Sequence, residues 1–446
     1  MRIFSLCLTL LLAITVWGQP NFNSAKLDSL FSILNEKQKA MGSFAYTQQG
    51  QMVYQNNSGF ICKDKNGTTP ATPASLYRIG SITKMFTAVM IFQLIDEQKL
   101  KLHTSLKEFF PQIPNAGNIT IDYMLNHQSG IFNFTNKQEY LSYLETAQTK
   151  EQMLDRMVLL APAFKPGEKS EYSNSNYVLL GYIIEILDKQ PYAQCLKTRI
   201  TEPLQLKNTG VFVPANCAKH IAQSYKMGQE SWVPTTQTHV SIPGGAGAIL
   251  STPADLCLFI TQLFETRVLS GYSFGKMQEI TRGYGRGLFK SAYATDSAFG
   301  HNGGIDGFAS SLAYFPETKT ALAYTSNAMV YGLGELMQGS HAIINNQEFK
   351  VPTFELVEVP LEILEQYTGL YKSDKIPIDI TVKIVDGYLI AQGTNQPELP
   401  MAAESNEHFT YSPAGLSLTF TKNEDTNLFE MTLKQSGATI LFTKTP

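Results

Sequence analysis

The chain has 446 residues, of which 43% are hydrophobic and 16% charged, with 26 Phe and 21 Tyr. That composition, with a mean hydropathy of −0.11, excludes a disordered chain, a collagen-like repeat and a protein of many membrane spans. At roughly 100–200 residues per domain the length predicts two or three domains. With 35 basic against 38 acidic residues and a net charge of −3, there is no basic footprint for a nucleic acid.

Met1-Arg2 is followed by an apolar run, Ile3 to Trp17, broken only by Ser5, Thr9 and Thr15, and then by Gly18-Gln19-Pro20. This order predicts a signal peptide over residues 1–18, with Val16 and Gly18 before a cleavage at Gln19. The run is shorter than the roughly 20 residues a spanning helix needs, so no stable membrane insertion is expected after cleavage. The mature protein is then exported, either periplasmic or secreted from a bacterium.

From residue 19 the chain reads as a first globular unit ending near 347. Leu27 to Ala40 carries a helical apolar stripe, and Ser43 to Ile61 reads as two strands turning at Gln49-Gly50. Ser81 to Leu100 is apolar on all sides, a helix for the core and not the surface. Further helices are predicted at Glu151 to Leu160, Asn176 to Asp188 and Pro253 to Phe264. Phe308 to Phe315 and Thr320 to Ser326 form an antiparallel pair around Pro316 to Lys319. Residues 348–366, bracketed by Pro352 and Pro360, read as a linker. From Tyr367 to the end, at 367–446, short alternating strands predict a small β-barrel, with Asp386-Gly387 as its clearest hairpin turn.

After signal removal four cysteines remain, Cys62, Cys195, Cys217 and Cys257, without metal-ligand spacing. No metal and no cofactor is expected. Buried free thiols are the expectation for a chain of this size, although export permits one pair to oxidise.

The residues that suggest chemistry form three groups. Ser81-Ile82-Thr83-Lys84 opens the apolar helix, which puts Lys84 one turn above Ser81 on the same face, at a helix N-terminus that favours an alkoxide. Tyr172-Ser173-Asn174 precedes another helix. A phenol titrates near pKa 10, so Tyr172 acts as a base only if a cation such as Lys84 assists it. His301-Asn302-Gly303-Gly304 lies on a strand, where glycines admit a ligand close to the backbone. Alone each motif is weak. Ser273 to Lys276 repeats the first spacing in what reads as a solvated loop, Tyr54-Gln55-Asn56 repeats the second, and a lone histidine is more often structural than catalytic.

Taken in order, five blocks resemble the serine β-lactamase and penicillin-recognising family, in particular its class C β-lactamase, D-aminopeptidase and esterase branch. They are Tyr77 to Lys84, Ile121 to Gly130, Tyr172 to Asn174, Gly244 to Gly247 followed by Ser251 to Asp255, and Gly300 to Gly304. The resemblance implies an α+β fold: an antiparallel sheet flanked by helices, with a helical lobe beside it. It also implies that Ser81 is the acylated nucleophile and that Lys84 and Tyr172 share the proton transfers. Asn174, His301, Gly303 and Gly304 would contact substrate, with the Ser81 and Gly304 N–H groups forming the oxyanion hole. Where relatives often have K-T-G, this chain has His301-Asn302-Gly303, which argues against efficient β-lactam turnover. The C-terminal strands are similar to the lipocalin-like barrels appended to some members. The expected activity is hydrolysis of D-amino-acid peptides or small esters. The alternatives are a class C-like β-lactamase hydrolysing β-lactams and a catalytically inactive binding or assembly protein on the same fold.

Overall fold

A computed structural model describes residues 22–445, apart from 66, 215, 229–230, 266–267, 412–414 and 436–437. The expected signal peptide at 1–18 lies outside the described residues. The first unit is built on a six-stranded antiparallel sheet, in the spatial order Phe289–Tyr293, Asp296–Ile305, Phe308–Phe315, Thr320–Met329, Ala40–Gln48 and Gln51–Ser58. Strand geometry sends alternate side chains to opposite faces. Ala321 and Ala323 therefore join one apolar cluster with Phe86 and Phe259, whereas Leu322 and Tyr324 join another with Leu27, Phe31 and Leu336. Because both faces are covered, Thr320–Met329 is buried along nearly its whole length.

The terminal helices of this unit, Ser24–Glu36 and Leu333–Ile344, cover one face of the sheet. On the other face, Pro253–Glu265 stacks Phe259 on Phe86 of the helix Thr83–Asp96 at 3.8 Å between ring centres. The helical lobe adds Ile121–Leu125, Lys150–Val158 and Asn174–Asp188, the second opened by a capping box between Thr149 and Gln152. The Gln49-Gly50 turn forms with both residues left-handed, at φ of 51° and 75°, as a tight two-residue hairpin requires.

Two expectations fail here. Ser273 and Lys276 lie in a helix, Gly271–Gln278, and not in a solvated loop; Ser273 is buried. Cys62 and Cys217, 155 residues apart, form a disulfide with Cα atoms 5.8 Å apart, while Cys195 and Cys257 are buried free thiols. Sequence spacing alone did not predict which pair the fold would bring together.

The last eight strands, from Gly369–Lys372 to Ala438–Lys444, form a closed antiparallel barrel in simple up-and-down order. Three of them, Gly369–Lys372, Leu399–Ala403 and His408–Tyr411, are only four or five residues long, too short for alternation in the sequence to mark them. The helix Leu361–Tyr367 occupies the end of the segment read as linker and the first residue of the barrel unit, and inserts Leu364 and Tyr367 into the barrel core. Tyr367 stacks on Phe420 at 4.2 Å, so the interior is a packed core. Lys39 to Glu404 and Lys434 to Glu335, at 3.3 and 2.6 Å, tie the barrel to the first unit.

Candidate active site

The strand Tyr77–Arg78 pairs with Ile249–Ser251 and delivers the chain into a 3-10 turn, Gly80–Ile82, which continues as the helix Thr83–Asp96. Ser81 thus sits in the turn that feeds the helix. Gly80 is left-handed at φ 49°, and a Cβ on it would lie 2.8 Å from the Gly304 backbone nitrogen. A Cβ on Gly303 would meet the Ile79 carbonyl oxygen at 2.0 Å. Glycine at both positions is what lets the Ser81 turn and the Asp296–Ile305 strand touch backbone to backbone.

Lys84 is completely buried. Its Nζ lies 3.0 Å from Ser81 Oγ, 2.8 Å from Asn174 Oδ1 and 2.8 Å from the Ala246 carbonyl oxygen. Burial penalises the charged amine and pulls its pKa well below the usual lysine range. Tyr172 shares a hydrogen bond with the Ser81 side chain, but its own burial outweighs that bond and raises its pKa above 10. Lys84 Nζ also lies 4.9 Å from the Tyr172 ring centre. Asn174, in the first turn of Asn174–Asp188, is held at both ends: Oδ1 accepts from Lys84 and Nδ2 donates to Thr135 Oγ1 at 3.2 Å.

One residue of the Ile121 to Gly130 block has a role at the site that its sequence position alone does not show. His127 stacks on Tyr172 at 4.5 Å between ring centres, and its Nδ1 accepts the Ser173 N–H at 3.1 Å. Its carbonyl accepts the Glu171 N–H at 2.9 Å. His127 therefore holds the whole Glu171–Ser173 segment, in a left-handed backbone conformation at φ 61° that few non-glycine residues adopt. Burial, then Lys84, push its pKa well below 6.5.

His301 stands differently from what the sequence suggests. It is 6% exposed, packed edge-on against Phe289 at 4.6 Å and near Tyr172 at 6.4 Å. Its Nδ1 lies 2.5 Å from the Asn302 carbonyl oxygen, which assigns the ring proton to Nδ1. Burial, then the Lys84 charge, lower its pKa to about 3. It is a buried neutral imidazole and not a cation facing outward.

A cavity of about 380 Å³ opens on this cluster, and of the motif residues Ser81, Asn174 and Gly304 line it; Lys84, Tyr172, His301 and Gly303 do not. Phe134, Tyr140, Leu141, Leu144 and Ile242 supply apolar lining, and Thr235, Thr236 and Thr238 polar lining, with Thr238 Oγ1 3.4 Å from the Tyr140 hydroxyl. Asp306 is the one charged residue among the described residues of its lining. A Cβ on Gly304 would meet nothing closer than 4.0 Å. Packing does not demand glycine there. A larger hollow, about 510 Å³ between Ala193 and Gly210, holds none of the motif residues. Among the described residues no group of three His, Cys, Asp or Glu side chains converges as metal ligands.

The model of the family described as Beta-lactamase matches residues 27–338, a span that holds every one of these site residues and ends before the barrel. The chain belongs to the β-lactamase family. Among its relatives in the family is Penicillin-binding protein 4* of Bacillus subtilis (strain 168), 24% identical over 436 residues, covering 90% of this chain and 94% of that one. Teichoic acid D-alanine hydrolase of Staphylococcus aureus is 24% identical over 230 residues, 51% of this chain and 55% of the relative. A solved structure of D-amino acid amidase from Ochrobactrum anthropi SV3, complexed with L-phenylalanine, superposes with a TM-score of 0.64 at 26% identity. It covers 72% of this chain and 99% of the amidase.

Proposed function

We propose that this β-lactamase-family protein is an exported serine hydrolase that cleaves amide or ester bonds through an acyl-enzyme on Ser81, with D-amino-acid peptides or small esters as its substrates. The observation that carries this reading is the 3.0 Å contact between Ser81 Oγ and a fully buried Lys84 Nζ. A neutral lysine amine has two N–H donors and one lone pair. Asn174 Oδ1 and the Ala246 carbonyl take the donors, which turns the lone pair toward Ser81. Lys84 then accepts the serine proton as Oγ attacks the substrate carbonyl. The oxyanion is met by the N–H groups of Ser81 and Gly304. Because its pKa is raised, Tyr172 stays a phenol and acts as the donor to the leaving group, receiving a proton back from Lys84. Water repeats the sequence to release the acid. The remaining N–H of Asn174 Nδ2 is available to a substrate carbonyl on the cavity side.

With His301 neutral and buried, no cation lines the cavity among the described residues. That supports substrates recognised without a free carboxylate, and leaves β-lactams as poorer substrates or acylating inhibitors. The relatives named as a D-amino acid amidase and a D-alanine hydrolase support D-configured acyl groups. The Cys62–Cys217 disulfide supports an oxidising compartment. Labelling with a fluorophosphonate or penicillin, followed by peptide mapping, should place the adduct on Ser81. Turnover of D-alanyl amides and p-nitrophenyl esters should exceed that of nitrocefin. An unlabelled protein would indicate a binding function instead, and dominant nitrocefin turnover a β-lactamase.

A further inference from the structure

A buried ion pair joins the two chain segments that carry the oxyanion donors. Arg78 lies three residues before Ser81, at the end of the strand that enters the 3-10 turn. Asp306 lies two residues after Gly304, in the turn between Asp296–Ile305 and Phe308–Phe315. Arg78 Nη1 donates to Asp306 Oδ2 at 2.7 Å and to the Thr238 carbonyl at 2.8 Å. The Arg78 and Asp306 side chains are 0% and 6% exposed. Asp306 Oδ1 accepts the Thr238 N–H and hydroxyl at 3.0 and 2.7 Å. The guanidinium packs on Phe212 at 4.2 Å, and among the described residues its Nε and Nη2 have no hydrogen-bond partner. Asp306 is therefore the compensating charge for a cation that has nowhere else to go, and removing one member of such a pair is far costlier than replacing both. Such a connection resists sliding.

We propose that Arg78 and Asp306 are positioning residues that clamp the two halves of the oxyanion site, fixing the Ser81 and Gly304 N–H groups at the separation the tetrahedral oxyanion needs. The proposal rests on the acyl-enzyme reading above. Asp306 lines the cavity, but three donors already occupy its carboxylate, so its charge is spent on the fold and not on a substrate amine.

The test uses p-nitrophenyl butyrate and its thiono analogue, in which sulfur replaces the carbonyl oxygen and fits an oxyanion site poorly. Wild-type turnover of the oxygen ester that is lost in Ser81→Ala secures the reading on which the clamp depends; its absence overturns both. Given that turnover, Asp306→Asn should lower kcat by about 10- to 10²-fold with little change in KM, less than outright loss of a donor. The ratio of oxygen-ester to thiono-ester turnover should narrow severalfold, a change that general loosening elsewhere would not produce. Asp306→Glu, which keeps the charge, should regain part of both. Should Asp306→Asn fail to fold, Arg78→Lys is expected to show the same loss and the same narrowing. An unchanged ratio in either folded variant overturns the clamp while leaving the acyl-enzyme intact. A KM effect on D-alanine p-nitroanilide, assayed beside the butyrate, that the butyrate does not share overturns it in favour of a substrate-binding Asp306.

Discussion

The molecule contains the same four-residue spacing twice, and the two copies behave oppositely. Ser81 and Lys84 meet in the core: the hydroxyl is 3.0 Å from an amine whose pKa burial drives down. Ser273 donates its hydroxyl to Asp96 Oδ1 at 2.6 Å, and Lys276 turns to Glu279 at 2.7 Å, which raises its pKa. In the first copy the serine faces a group able to take its proton; in the second it faces a carboxylate that only fixes its rotamer. Both serines are at helix starts and both lysines are one turn on. Burial of the lysine, with no acid beside it among the described residues, is what makes the difference.

The largest effect separates the copies outright. Ser81→Ala should abolish covalent labelling by a fluorophosphonate, whereas Ser273→Ala should leave it intact and cost stability only. Label surviving in Ser81→Ala would remove the mechanism. Next in size, Lys84→Arg keeps a cation but removes the titration, because a guanidinium does not deprotonate. A fall in kcat of about 10²- to 10⁴-fold is expected. Tyr172→Phe should cost about 10²-fold. The pH profile gives the same comparison another form. Acylation requires the neutral amine, so kcat/KM should rise with pH through a pKa well below that of an ordinary lysine, and this limb should vanish in Lys84→Arg. Lys276→Gln should leave the profile unmoved.

A smaller effect concerns Gly304, whose missing side chain faces the cavity and not the protein. Gly304→Ala should lower kcat/KM with the melting temperature unchanged. Gly303→Ala, with the Ile79 carbonyl 2.0 Å from its Cβ, should instead lower both. Equal melting losses in the two variants would show that Gly304 is constrained by packing after all.

The nucleophile turn, the Tyr172 to Asn174 segment and the glycine strand were legible because each is a local pattern with its own spacing. What brings them together was not. His127 stood inside a block already noticed, but its hold on Tyr172 depends on two segments meeting that are 45 residues apart in number. The threonines at 235, 236 and 238 sit in an irregular stretch with no periodicity to read. Asp306 had a readable signal, since Asp306-Gly307 between two strands is the same hairpin dipeptide as Asp386-Gly387. The dipeptide turns a hairpin in both places, in the barrel and beside the site. The disulfide closes a span of 155 residues, which no local rule predicts. The fold class followed from the resemblance; helix ends moved by a few residues because turns, such as left-handed Gln38 at φ 51°, decide them.

The smallest expected effect is the most informative about specificity. From sequence, His301 stands where relatives carry lysine, and a histidine of ordinary pKa near 6.5 would go from about 3% charged at pH 8 to about three-quarters charged at pH 6. Selectivity for a substrate carboxylate would then grow toward acid. In the structure its pKa is about 3, so at pH 6 only about 0.1% of molecules carry the charge. The preference between a peptide ending in a free carboxylate and its amide should therefore be flat from pH 6 to 8. His301→Lys would bury another amine near that of Lys84, at a position that does not line the cavity, so it should lower stability and leave that preference where it was. Stability carries the same signature with a definite sign. The unfolded chain binds a proton at His301 below about pH 6.5 and the folded chain does not until about pH 3, so this residue makes the fold lose stability as pH falls through that window. His301→Gln should flatten part of that acid limb in thermal melts. A carboxylate preference that climbs severalfold toward pH 6 would put a charged imidazole against the substrate, and the buried, neutral His301 would have to be abandoned.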